Sequence, residues 1–73
     1  MAQSYKSPEH YAHSAARFAQ DWLFANHKPA IAWSDLLIEV TAYIPDAIAT
    51  GCNPIYVPRK AAQLWAKEYP DGI

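Results

Sequence analysis

Apolar residues return at helical spacing three times along this 73-residue chain, and serine, proline and glycine mark where each run starts or stops. In the first run Tyr11, Ala15, Phe18 and Trp22 recur at intervals of three and four, with Ala12, Ala19 and Leu23 beside them. His13, Arg17, Gln20 and Asp21 fall on the other side. The "SPEH" before it is a helix start. Ser7 can cap, and Pro8 suits the first helical position, where an N–H has no intrahelical acceptor to lose. Glu9 then sits where the helix dipole favours an anion. "NHKP" ends this helix near Asn26.

The second run is "AWSDLLIEVTAYIP". Ser34 is the expected cap, Asp35 follows in the first turn, and Trp33 and Ile38 have the spacing of a hydrophobic staple. Leu36, Leu37, Val40, Tyr43 and Ile44 make one apolar face with Glu39 opposite. Ile38, Val40 and Thr41 are β-branched, so a strand over 36–42 competes, and the start signals favour the helix. Pro45 must end or kink it, and "PDAIATG" reads as a short helical turn stopped by Gly51. "CNPIYV" is expected to be extended, because residues preceding proline avoid the helical region. Pro58 opens the third run, "PRKAAQLWAKEY", with Ala61, Leu64, Trp65 and Tyr69 on its apolar side and Pro70 and Gly72 as stops.

The expectation is therefore an all-α fold, three short helices plus a helical turn packed as one small domain over residues 7–69. Residues 1–6, "MAQSYK", form a loose N-terminal arm, and 70–73 a tail. The helices should pair 11/15/18/22 against 36/37/40/44, with Trp65 closing the third side.

Composition narrows the class. Half the residues are hydrophobic (52%) at a net charge of −1, too apolar for a disordered chain. Three Trp, five Tyr and two Phe exceed what one small core needs, which predicts some rings at the surface. Cys52 is alone, so no internal disulfide is possible. No basic leader precedes an apolar run, and the longest apolar region is broken by Asp35, Glu39 and Asp46, which excludes a membrane span. A cytosolic chain is expected.

Candidate chemistry is sparse. His10 and His13 share a helix face, but a structural zinc would need His27 and Cys52 as well, and no paired Cys-x-x-Cys or His-Glu-x-x-His spacing exists. A solvated helix face, with His27 near the last carbonyls, explains them without a metal. No residue pattern surrounds Cys52 to activate its thiol, and the only glycines, Gly51 and Gly72, form no phosphate loop. No enzyme, cofactor, metal or small-molecule substrate is expected.

Charge is more informative. Residues 29–57 hold Asp35, Glu39 and Asp46 and no base, a segment at −3; Arg59, Lys60 and Lys67 follow, against Glu68 and Asp71. Arg59 and Lys60 occupy the first turn of the third helix, where the dipole disfavours cations and free N–H groups favour an anion. A solvated polar face accounts for them equally well; as an anion site, the stretch would meet carboxylate on a protein or nucleic-acid phosphate. A slightly acidic chain lacks the basic footprint of a DNA reader, and a proline-bracketed linker stands where a helix-turn-helix needs a short turn. Docking on another protein ranks first and DNA binding through residues 58–67 second. Tyr5, Lys6, Phe24, Tyr56, Arg59, Lys60 and Lys67 are the expected partner-binding residues, with Tyr69 a further unassigned ring.

At "SPEHYAHSAARFAQDW" and "VPRKAAQLWAKEYPDGI", read with the chain length, the sequence resembles the small bacteriophage regulators that bind bacterial RNA polymerase, the Xanthomonas-phage transcription inhibitor and antiterminator among them. The resemblance covers the whole chain and lies in size and character, so it assigns no individual residue. It implies contact with the large polymerase subunits, interference with sigma-factor engagement, and no enzymatic activity.

Overall fold

The computed structural model of the chain describes residues 4–70, and it is all helical. Helix α1 spans Pro8–Ala25, α2 Trp33–Thr41, α3 Ile44–Ala49 and α4 Val57–Glu68, with a 3-10 turn at Pro54–Tyr56. The competition over 36–42 is thus decided for helix. The first three residues of the arm and the last three of the tail, with the Gly72 stop, lie outside the described residues.

One core joins the four helices. Ala15, Ala16 and Ala19 of α1, Leu36 and Val40 of α2, Ile44 and Ala47 of α3, and Val57, Ala61 and Trp65 of α4 have no exposed surface. Alanines on α1 and α4 let the two helices pack together, and Trp65 is the largest side chain completely enclosed. Trp22 meets Trp65 edge to face at 6.0 Å between ring centres, and Tyr69 lies 6.1 Å away on a tilted ring. Among the described residues no polar or charged residue is buried, and the Trp65 indole N–H is the one buried side-chain donor without a partner.

Several local expectations are corrected. Ser34 does not cap α2. The cap position is Ala32, whose carbonyl accepts from the Leu36 N–H at 2.9 Å, so the helix opens at Trp33, two residues earlier than a Ser34 cap implies. A serine cap is worth about 1 kcal/mol, less than the burial of Leu36 and Val40 that fixes the helix's register. The staple positions then become Ile31 and Leu36. Ile38 is instead 71% exposed, and Trp33 lies beside His13 at 6.3 Å.

In α1 the buried line is Tyr11, Ala12, Ala15, Ala16, Ala19 and Leu23, which leaves Trp22 half-buried and Phe18 37% exposed rather than central. "CNPIYV" is not extended throughout. Asn53 is extended, before the 3-10 turn at Pro54–Tyr56, and its side-chain oxygen accepts the Ile55 N–H at 3.1 Å. Its carbonyl accepts the Tyr56 N–H at 2.8 Å, which closes the 3-10 turn. Val57 enters α4 in helical geometry despite preceding proline, because its side chain is completely buried there.

The helix stops are of two kinds. Gly51 follows α3 at φ +75°, as a glycine stop should. After α1 the left-handed residue is His27, at φ +57°. Its N–H bonds the Phe24 carbonyl at 3.2 Å, and the Lys28 N–H bonds the Leu23 carbonyl at 2.9 Å. That pair of bonds is a Schellman motif closed by histidine instead of glycine.

Candidate docking surface

The expected partner residues fall into separate places. Tyr5 is tied down: its hydroxyl donates to the Cys52 carbonyl at 2.5 Å, and its ring packs on the core. The Lys6 N–H donates to the Tyr11 hydroxyl at 2.8 Å, so the end of the arm crosses from α1 to the α3–α4 link. Tyr56 is 51% exposed on the 3-10 turn, beside Ile55 at 74%. Arg59 stands in the first turn of α4, but its guanidinium lies over the Phe18 ring, 5.2 Å from the centre. Lys60 is half-buried, and Lys67 is exposed in the last turn of α4, where the dipole favours it. Phe24, 86% exposed, is near none of these and borders a depression with Leu23, Lys28, Ala30 and Ile31.

Two apolar surfaces result. One runs along the line between α1 and α4. A hollow of about 300 Å³ bounded by Lys6, His10, Ser14, Ile55 and Pro58 shares Ser14 with a second, which adds Arg17, Phe18 and Asp21. Phe18 in turn borders a third with Trp22, Arg59, Ala62 and Gln63. The other surface lies at the α1–α2 end, where Ala30, Ile31, Ala32 and Ile38 line a depression whose charged residues are Asp35 and Glu39.

The cationic face was legible in part. Arg59 and Lys6 were expected from their charge. Arg17, Phe18 and Ile55 were not, because Phe18 and Ile55 looked like core and linker. The polar neighbours of Phe18 one turn either side, Ser14, Arg17 and Asp21, were the signal that its ring stands at the margin.

The remaining chemistry is modest. His10 meets the Tyr11 ring edge-on at 5.1 Å, and His13 and His27 lie elsewhere; among the described residues no three His, Cys, Asp or Glu side chains converge on one point. The Cys52 thiol, half-buried, donates to the Ala47 carbonyl at 3.6 Å. Burial pushes the Tyr43 hydroxyl above its ordinary titration range, helped by the neighbouring Tyr69 hydroxyl and by the charges of Glu68 and Glu39. No helix among the described residues is long and apolar enough to cross a membrane. Set against known proteins, the chain matches no family model, no curated protein and no solved structure.

Proposed function

We propose that this chain is a small non-enzymatic docking module that regulates a larger protein machine. The observation that carries this reading is the exposure of large apolar side chains over a fully formed core. Phe24, Ile55, Ile38 and Tyr56 are each more than half exposed in a chain of 73 residues. Such surfaces on a small folded protein mark protein contact sites. The resemblance to phage regulators makes bacterial RNA polymerase, in the host cytoplasm, the machine proposed, with its large subunits as the contact and transcription as the process inhibited or modulated. Tagged protein passed through a bacterial lysate is expected to retain those subunits. Retention of some other single protein removes polymerase from the proposal, and retention of nothing removes docking itself.

Duplex DNA is the second reading, favoured by the open strip of α4 that carries Arg59, Gln63 and Lys67. It ranks lower because α4 is the most enclosed helix, with Val57, Pro58, Ala61, Ala62, Trp65 and Ala66 all turned into the core. A reading helix must project into a groove. DNA binding would fall steeply with salt and weaken in Arg59→Ala with Lys60→Ala; no binding at low salt ends this reading.

A further inference from the structure

We infer that the trough between α1 and α4 is the docking site, and that its occupant is an acidic amphipathic helix of the partner protein. The inference rests on the docking reading and adds the surface and the chemistry it selects. His10, Ser14, Phe18 and Trp22 lie four residues apart on one line of α1; His10 and Ser14 front one hollow with Pro58 of α4, and Phe18 and Trp22 another with Arg59, Ala62 and Gln63. From His10 to Trp22 is about 18 Å at the helical rise, room for three turns of a third helix. The bottom is apolar, formed by Pro58, Ala62 and the Phe18 ring, with Ile55 rising at one end. A helix lying between two others seats its apolar row in such a trough. An extended peptide would want an open sheet edge, and the described residues contain no strand.

Charge selects the sign of the occupant. Lys6 and Arg59 border the trough, which has no carboxylate in its lining, and Arg17 and Asp21 line the adjoining hollow on α1 that shares Ser14 and Phe18 with it. The depression at the α1–α2 end carries Asp35 and Glu39, and the hollow that shares Ala30 and Ile31 with it adds Lys28, two carboxylates against one cation. The two apolar surfaces thus lean to opposite sign, although the net charge of the chain is only −1. Arg59 is already laid over Phe18, so its planar fork is held at the rim with N–H groups available to a carboxylate. Aspartates and glutamates flanking an apolar row on the incoming helix would meet these cations on both sides.

The test uses the full chain, isotopically labelled, titrated with a synthetic amphipathic peptide of about 18 residues that bears leucine on one face and glutamate on the other. Amide shifts are expected at His10, Ser14, Phe18 and Gln63. Affinity should fall about tenfold in the double variant Arg17→Glu, Arg59→Glu, and fall again with added salt. Arg17→Glu alone, at an exposed residue, keeps a measurable several-fold loss in hand if the double variant unfolds. The same peptide with lysine for glutamate should leave those amides unmoved. No shifts at about 1 mM peptide, shifts centred on Ile31 and Ile38, or an equal response to the lysine peptide would overturn the inference. If the lysate partner is retained by the wild type and equally by the double variant, the trough is wrong and docking stands. If no partner is retained at all, the docking reading itself has failed.

Discussion

The seam between α1 and α4 and the surface at the α1–α2 end are built from similarly apolar sequence and packed in opposite ways. In the seam, alanines at 15, 16, 19 and 61 have no exposed surface, and the Trp65 ring among them has none either. At the other end Leu23 is buried, yet its neighbour Phe24 is 86% exposed, and Ile38 projects from α2 in the same manner. The difference teaches that the core is organised by small residues rather than by large ones. Where alanine faces alanine, backbones approach and a single large ring fills what is left. Where large side chains such as Phe24 and Ile38 stand without small ones opposite, they stay exposed in this chain.

The largest effect that separates the two regions is a ring deletion in each. Trp65→Ala should cost about 3–5 kcal/mol, which is a large part of the stability of a domain this size. Phe24→Ala should change it by no more than about 0.5 kcal/mol. Urea unfolding followed by helical circular dichroism measures both. Comparable losses would mean that Phe24 is covered in solution and that the contrast is false. Trp65→Phe refines the point. It keeps a ring and removes the unpaired indole N–H, so it should cost clearly less than the alanine variant.

The sequence displayed the helices well and the register of α1 poorly. Pro8, Pro45, Pro58 and Gly51 fix boundaries through backbone chemistry that does not depend on neighbours, so those boundaries could be read one residue at a time. The side that α1 buries depends on what approaches it. Weighting by hydrophobicity placed Phe18 at the centre, while the close approach of α4 rewards Ala15, Ala16 and Ala19. The staple at Ile38 followed from placing the α2 cap at Ser34, two residues past the true cap at Ala32. Arg59 was visible as a charge out of place and Lys6 as part of the arm, but their position beside Phe18 and Ile55 is a product of the fold. Sequence alone could not bring residue 6 and residue 59 to one trough.

A second contrast lies in the helix stops, one at each side of α2 and α3. Gly51 adopts φ +75° without cost, whereas His27 at φ +57° carries a Cβ into a region that L-residues avoid. His27→Gly should therefore raise stability by about 1 kcal/mol, visible as a melting temperature higher by about 4–8 °C. Gly51→Ala should lower it by a similar amount. The space around a Cβ there is open, with nothing within 4 Å, so the loss would be conformational and not a clash. If His27→Gly instead destabilises, the imidazole at the end of α1 makes a contribution larger than its backbone strain.

The smallest effect concerns the place where α2 and α3 meet the end of α4. There the contact is a pair of half-buried tyrosines, Tyr43 and Tyr69, with Glu39 and Glu68 nearby, instead of a dry alanine seam. Burial, then Tyr69, then the two glutamates raise the Tyr43 pKa above its ordinary 10.0, so the folded chain holds that proton more tightly than the unfolded one. The stability linked to this group is complete below about pH 10 and is lost as pH rises from there through the folded pKa, because the unfolded chain ionises first. Tyr43→Phe removes the ionisable group, and Glu39→Gln weakens one cause of the shift. Urea midpoints taken between about pH 9 and pH 11 should therefore fall less steeply for Tyr43→Phe than for the wild type, with Glu39→Gln between them. An unchanged slope in Tyr43→Phe would assign the alkaline loss to the other tyrosines. It would also leave the α2–α4 contact as insensitive to charge as the seam between α1 and α4.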